Sequence, residues 1–135
     1  AQARSDEVVS KDQILTGAIT LPLLDARSRE RFEGSAPDPR PGVEPGHIPG
    51  ACNLPFSALY NEDGTFRPAD ELRRLFAHAD VDPARPFVAT CGSGVTAACL
   101  IFAAHLLNHD GNRLYDGSWS EWGADPAAPK ALGPA

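Results

Sequence analysis

Phe87-Val88-Ala89-Thr90-Cys91-Gly92-Ser93-Gly94-Val95-Thr96-Ala97-Ala98-Cys99-Leu100 decides how this chain is read. Residues 87–90 have strand character, a short Gly/Ser loop follows Cys91, and the apolar stretch beyond it opens a helix. A strand–loop–helix turn aims backbone N–H groups inward and adds the positive end of a helix dipole. That setting favours thiolate over thiol in a cysteine. Cys91 is therefore read as a nucleophile in an anion-cradling loop.

Working outward, Pro68-Ala69-Asp70-Glu71-Leu72 carries proline at a helix entry and acids in the first turn, predicting a helix to about His78 that buries Leu72, Leu75 and Phe76. Downstream, the helix from Thr96 to about Asn108 turns Ala97, Leu100, Ile101 and Ala104 to a sheet, and residues 112–115 form a last strand ending at Asp116. Past Gly117-Ser118-Trp119 the chain reads as a Pro/Ala tail without a core pattern. Towards the N-terminus, Ser10-Lys11-Asp12-Gln13 is a capping box opening a short helix. The apolar run 19–24, broken by Pro22, supplies a buried strand with Asp25 at its end. Residues 26–32 are a short charged helix or turn, and 34–46, dense in Pro and Gly, are a loop. Gly46-His47-Ile48-Pro49-Gly50 then leads into a second strand over 51–54, with one helical turn near Ser57 to Tyr60.

Strands alternating with helices predict an α/β fold: one domain, a mainly parallel central sheet and helices on both faces. Residues 10–125 are expected to be the domain, 1–9 an N-terminal extension and 126–135 a C-terminal tail. In such sheets ligands bind outside the carboxyl ends of the strands, where Asp25, Cys91 and Asp116 all fall.

Composition narrows the chemistry. The 135 residues are 42% hydrophobic and 22% charged, as in ordinary globular domains. A formal net charge of −6 argues against nucleic acid or an anionic membrane as partner, while leaving room for a small anionic substrate held by a few arginines. Three cysteines without a C-x-x-C pair fit a reducing, cytoplasmic compartment, and neither a metal nor a cofactor is expected. The chain contains no methionine, so it is expected to be a processed chain or a piece of a longer protein.

The motifs have a familiar order. Leu23-Leu24-Asp25-Ala26-Arg27, Gly46-His47-Ile48-Pro49-Gly50-Ala51, Cys91-Gly92-Ser93-Gly94-Val95-Thr96-Ala97 and Tyr115-Asp116-Gly117-Ser118-Trp119 together resemble the rhodanese-like sulfurtransferases. Gly-Ser-Gly after the cysteine, in place of basic residues, is similar to the mercaptopyruvate-using branch, in particular the C-terminal catalytic domain of its two-domain members. The resemblance implies a Cys91 persulfide, with substrate bound by Arg31 and Arg40 and by the loop Gly92, Ser93, Gly94, Val95 and Thr96. It gives Ser93 a second, catalytic role, hydrogen-bonding the substrate carbonyl or relaying a proton. It also implies a small anionic sulfur donor, and as acceptor cyanide, a small thiol or a thioredoxin-like protein. A missing N-terminal rhodanese domain would complete the site.

Each assignment has a plainer rival. Cys52 and Cys99 are expected to pack as core, since free cysteine behaves as a small hydrophobe. His47, between Gly46 and Pro49, is expected to be structural, and Asp25 to fix its loop by hydrogen bonds; Trp119 and Trp122 are expected to pack the sheet edge. Three other functions compete: thiosulfate sulfur transfer, a silent rhodanese module used for binding or regulation, and a phosphatase. Phosphate transfer fits worst, because the loop before Ala97 is short and no arginine follows Cys91 until Arg113.

Overall fold

The computed structural model describes residues 8–93 and 96–135. Five strands lie in one sheet: β1 (Val8–Val9), β2 (Leu23–Asp25), β3 (Cys52–Asn53), β4 (Val88–Thr90) and β5 (Arg113–Tyr115). Their order is β1-β5-β4-β2-β3, and every pair is parallel. Among the described residues five helices accompany them: α1 (Lys11–Leu15), α2 (Arg29–Glu33), α3 (Ala69–His78), α4 (Ala97–Leu106) and α5 (Ser118–Trp122). A 3-10 turn covers Phe56–Leu59.

Local chemistry starts and stops these elements where the sequence suggests. Ser10 Oγ accepts the Gln13 N–H at 3.2 Å while Gln13 Oε1 accepts the Ser10 N–H at 2.9 Å, the reciprocal capping box. Gly34 closes α2 at φ 84°, a left-handed cap that costs glycine no Cβ clash.

Side chains alternate across the strands, and the alternation builds two cores. Leu24, Ala89 and Leu114 meet α3, α4 and the 3-10 turn on one face. Leu23, Val88 and Tyr115 meet Ile14 of α1, Phe32 of α2, and Trp119 and Trp122 of α5 on the other. Trp119 and Trp122 are both 1% exposed. At roughly 150–250 Å² buried each, such side chains contribute about 4–6 kcal/mol apiece as an upper estimate.

Three features depart from the sequence reading. Val8–Val9 pairs with β5, so the sheet reaches into the expected N-terminal extension. A two-residue strand is too short for any hydrophobic period and exists only through its partner. The segment after Gly117 forms α5. Residues 126–135 are docked: Ala128 is 4% exposed, and Ala131 pairs antiparallel with His47.

Candidate active site

The strand order alone selects one crevice. The chain leaves β2 through α2 on one face towards β3, and leaves β4 through α4 on the other face towards β5. β2 and β4 are neighbours in register, Asp25 beside Thr90, so their connections diverge between them. Parallel α/β sheets place ligands outside the carboxyl ends of the strands at such a switch point. Cys91 is the first residue past β4 there.

Its backbone is held from α5. Trp119 N–H donates to Cys91 O and Ser120 N–H to Gly92 O, both at 2.9 Å. Ser118, fully buried and at φ 55°, donates its hydroxyl proton to Tyr115 O at 2.8 Å. Its oxygen therefore accepts, taking the Cys91 N–H at 3.1 Å and the Thr90 hydroxyl at 3.2 Å. Ser118 thus ties the Cys91 amide to the end of β5. Tyr115 anchors α5 in turn, donating to Glu121 Oε1 at 2.6 Å; burial and that bond push its phenol far above the usual range.

The end of β2 is tied into the same structure. Arg27 forks onto Asp25, with Nε 3.1 Å from both carboxylate oxygens and Nη2 2.9 Å from Oδ2. Nη2 also donates to Gly46 O at 2.7 Å, and the guanidinium carbon lies 4.7 Å from the Trp119 ring centroid. Asn53 Nδ2 donates to the carbonyls of Asp25 and Arg27. Asp25 is thus a bracket for its loop, as expected. His47 is buried as well, stacked on Phe32 at 3.8 Å with Nδ1 2.7 Å from Phe32 O.

Of the residues expected to bind substrate, Arg40 comes to the loop. A Cβ placed on Gly92 would stand 3.0 Å from Arg40 Nη2 and 3.2 Å from Nη1, so the guanidinium packs directly against the residue after Cys91 and a side chain there would push it back by a few tenths of an ångström. Asp38, nearly sealed from solvent, accepts the Arg40 N–H at 2.8 Å and Nη1 at 3.3 Å, leaving the Arg40 side chain 34% exposed. Arg31 is exposed on α2 and forms no ion pair among the described residues. Ser93 is exposed and Thr96 is half-buried at the start of α4; Gly94 and Val95 lie outside the described residues. Cys91 itself is 1% exposed. Cys52 and Cys99 are half-buried at the core margin, and burial pushes the Cys52 thiol up.

Sequence reasoning missed Arg27, Asp38 and Ser118. Ser118 stood inside a quoted motif, but its role depends on a left-handed backbone and on partners far apart in sequence. A surface cavity of 350 Å³ beside α3, lined by Arg67, Glu71, Arg74, Leu75 and His78, contains no cysteine. The nucleophile and the switch point both favour the crevice at Cys91.

A model of the rhodanese-like domain matches residues 9–125. Over 100 residues the chain is 47% identical to 3-mercaptopyruvate sulfurtransferase of Mus musculus, covering 74% of this chain and 34% of that protein. Over 106 residues it is 43% identical to mitochondrial thiosulfate/3-mercaptopyruvate sulfurtransferase 1 of Arabidopsis thaliana, covering 78% of this chain and 28% of that protein. The crystal structure of the Tum1 protein from Saccharomyces cerevisiae superposes with a TM-score of 0.80 at 32% identity, covering 95% of this chain and 47% of that one. The chain spans about a third of the length of the curated relatives it matches. With motifs, strand order and relatives in agreement, the chain belongs to the rhodanese-like domain family.

Proposed function

We propose that this domain carries sulfur from 3-mercaptopyruvate through a persulfide on Cys91. The observation that carries the reading is Arg40, whose guanidinium lies against Gly92, one residue from a cysteine at the switch point. The name borne by the mouse relative supports the same chemistry.

The Cys91 thiolate attacks the thiol sulfur of 3-mercaptopyruvate, and the carbon–sulfur bond breaks. Its electron pair leaves on enolpyruvate, which takes up a proton to become pyruvate, and the sulfur stays on Cys91 as a persulfide. An acceptor thiolate, small or on a thioredoxin-like protein, then attacks the outer sulfur and releases the Cys91 thiolate; cyanide serves as an alternative acceptor. Arg40, with Arg31 as second cation, holds the substrate carboxylate by charge-assisted bonds. Loop amides, at Gly92 and Thr96 among the described residues, are assigned to stabilise the negative charge that develops on sulfur; Gly94 and Val95, assigned with them, lie outside the described residues. Ser93, exposed at its rim, hydrogen-bonds the ketone or relays the proton. The greater length of the relatives supports a second, N-terminal rhodanese domain closing over this crevice.

Thiosulfate is the rival donor, favoured by the name of the Arabidopsis relative. Sulfur release from the two donors decides between them, measured on this chain and on a longer one. Mercaptopyruvate turnover that vanishes in Cys91→Ser is the expected result. Replacing Arg40 with glutamine removes a charged hydrogen bond of about 1.5–3 kcal/mol, lowering kcat/KM roughly 10- to 150-fold. Unchanged mercaptopyruvate use in Arg40→Gln removes the carboxylate-clamp assignment.

A further inference from the structure

Arg40 sits in a segment, residues 34–46, that contains neither helix nor strand. Something else must hold it, because each freely rotating residue carries conformational entropy that binding has to remove. Near its far end, Glu44 N–H donates to Gly123 O at 3.0 Å, and Trp119 Nε1 donates to Glu44 O at 2.8 Å. Beyond these, the C-terminal residues lie across the segment. His47 N–H donates to Ala131 O and Ala131 N–H to His47 O, both at 2.9 Å. Lys130 Nζ stands 3.4 Å from Glu44 Oε2, and Gly133 N–H donates to Glu33 O at 2.7 Å.

The contact is built closely. Gly46 sits at φ 119°, and a Cβ there would come within 2.5 Å of Ala131 O. The strand-like piece is tied to α5 as well, Trp122 Nε1 donating to Pro129 O at 2.7 Å, and is braced within itself, Lys130 Nζ donating to the carbonyls of Asp125 and Ala128 at 2.7 and 2.9 Å. Its C-terminal part, residues 128–133, thus joins α5, the end of α2 and the end of the Arg40 segment. All of it lies beyond residue 125, where the family match stops.

We propose that residues 128–133 are a positioning strap: they fix the Arg40 segment and thereby the capture of an anion beside Cys91. The inference rests on the anion-binding reading of Arg40 given above. It assigns the strap no contact with substrate. Its effect passes through His47, Gly46 and Glu44 to Arg40.

Alkylation of Cys91 by iodoacetate and by neutral iodoacetamide, followed on the Cys91 peptide by mass spectrometry, tests this without needing turnover. The ratio of the two rates reports the positive charge beside the sulfur, while the iodoacetamide rate alone reports the sulfur and its access. Four chains are compared: the full chain, Arg40→Gln, Ala131→Pro, which deletes the N–H donated to His47 O, and a chain ending at Asp125. The expected result is that Arg40→Gln and both strap variants lower the ratio in common, by about tenfold, the factor matching one lost charge-assisted hydrogen bond. The iodoacetamide rate stays within about twofold of the full chain, an energy difference well under that of such a bond. A lowered ratio in Arg40→Gln with the full-chain ratio in Ala131→Pro overturns the strap and leaves the role of Arg40 standing. An unchanged ratio in Arg40→Gln overturns both. Equal loss of both rates in Ala131→Pro also overturns the proposal, since the strap then supports the whole loop. The point substitution decides the matter should the shortened chain not fold.

Discussion

Replacing Arg27 with methionine keeps its stem but removes the fork that ties Asp25 at the end of β2 to the Gly46 carbonyl. The Arg27 and Asp25 side chains are only 4% and 2% exposed, so solvent screens the pair poorly. Breaking a buried pair from one side costs about 3–5 kcal/mol, because the remaining charge is left uncompensated. Gly46 O loses its 2.7 Å donor at the same time, worth a further ~1–3 kcal/mol, and the Trp119 ring loses its cation. These losses share one side chain and do not simply add. We expect Arg27→Met to lose about 4–6 kcal/mol, a large part of the ~5–15 kcal/mol that holds most domains. Asp25→Asn should cost about 3 kcal/mol, since its amide still accepts the Arg27 backbone N–H, now 2.9 Å from Oδ1. The double variant should lose at least about 2 kcal/mol less than the two singles summed, because no charge is then left unpaired. Urea unfolding followed by circular dichroism measures all four chains, with a common m-value as the check that the states compared are alike. A loss under about 1.5 kcal/mol in Arg27→Met, or single effects that add within ~0.5 kcal/mol, refutes the bracket.

Ser118→Ala removes the buried hydroxyl that accepts the Cys91 N–H and donates to Tyr115 O; it should lose about 2–4 kcal/mol, and Ser118→Gly about 1 kcal/mol less, since glycine tolerates φ 55°. Equal stability of Ser118→Ala and the parent in urea removes the lock on the loop. Gly92→Ala drives a Cβ towards Arg40 and should raise KM for mercaptopyruvate roughly tenfold, the equivalent of about 1.4 kcal/mol, with Cys91 alkylation by iodoacetamide little changed. Steady-state kinetics showing an unaltered KM would separate Arg40 from the donor. Tyr60 donates to Cys99 Sγ at 3.3 Å, and that bond, with burial, pushes its phenol up to about 12. The native state therefore holds this proton where an unfolded phenol has released it, so the contribution is complete below about pH 10 and disappears as pH rises towards the native value. Phenolate absorbance should show Cys99→Ala bringing the Tyr60 midpoint down; an unmoved midpoint excludes the bond.

Much of the fold was legible because its signals are local. Ser10 and Gln13 cap α1, Pro68 and the acids after it open α3, and the apolar run before Cys91 is β4. The order of strands and helices then required a parallel sheet, and the carboxyl edge followed. What the residues could not announce depends on distant partners. β1 exists through β5, and α5 through hydrogen bonds to Cys91 and Gly92. Residues 126–135 have no period of their own, so their docking against His47 and Trp122 was invisible. In the site, Cys91 was read from the strand–loop–helix turn around it and Arg40 from motif likeness, and the structure adds the contact with Gly92 that brings Arg40 to the loop. Arg31 was read in the same way, and the structure leaves it exposed on α2. The burial of Cys91 was not legible either, because it depends on packing between elements distant in sequence, which spacing does not encode.

Mass spectrometry of the Cys91 peptide after exposure to 3-mercaptopyruvate tests the central claim most directly. The account predicts a gain of about 32 Da, the mass of one sulfur atom, on Cys91. Cyanide or a thiol should remove it, and the Cys91→Ser chain should never acquire it. A Cys91 peptide that keeps its mass, or sulfur found only on Cys52 or Cys99, contradicts it.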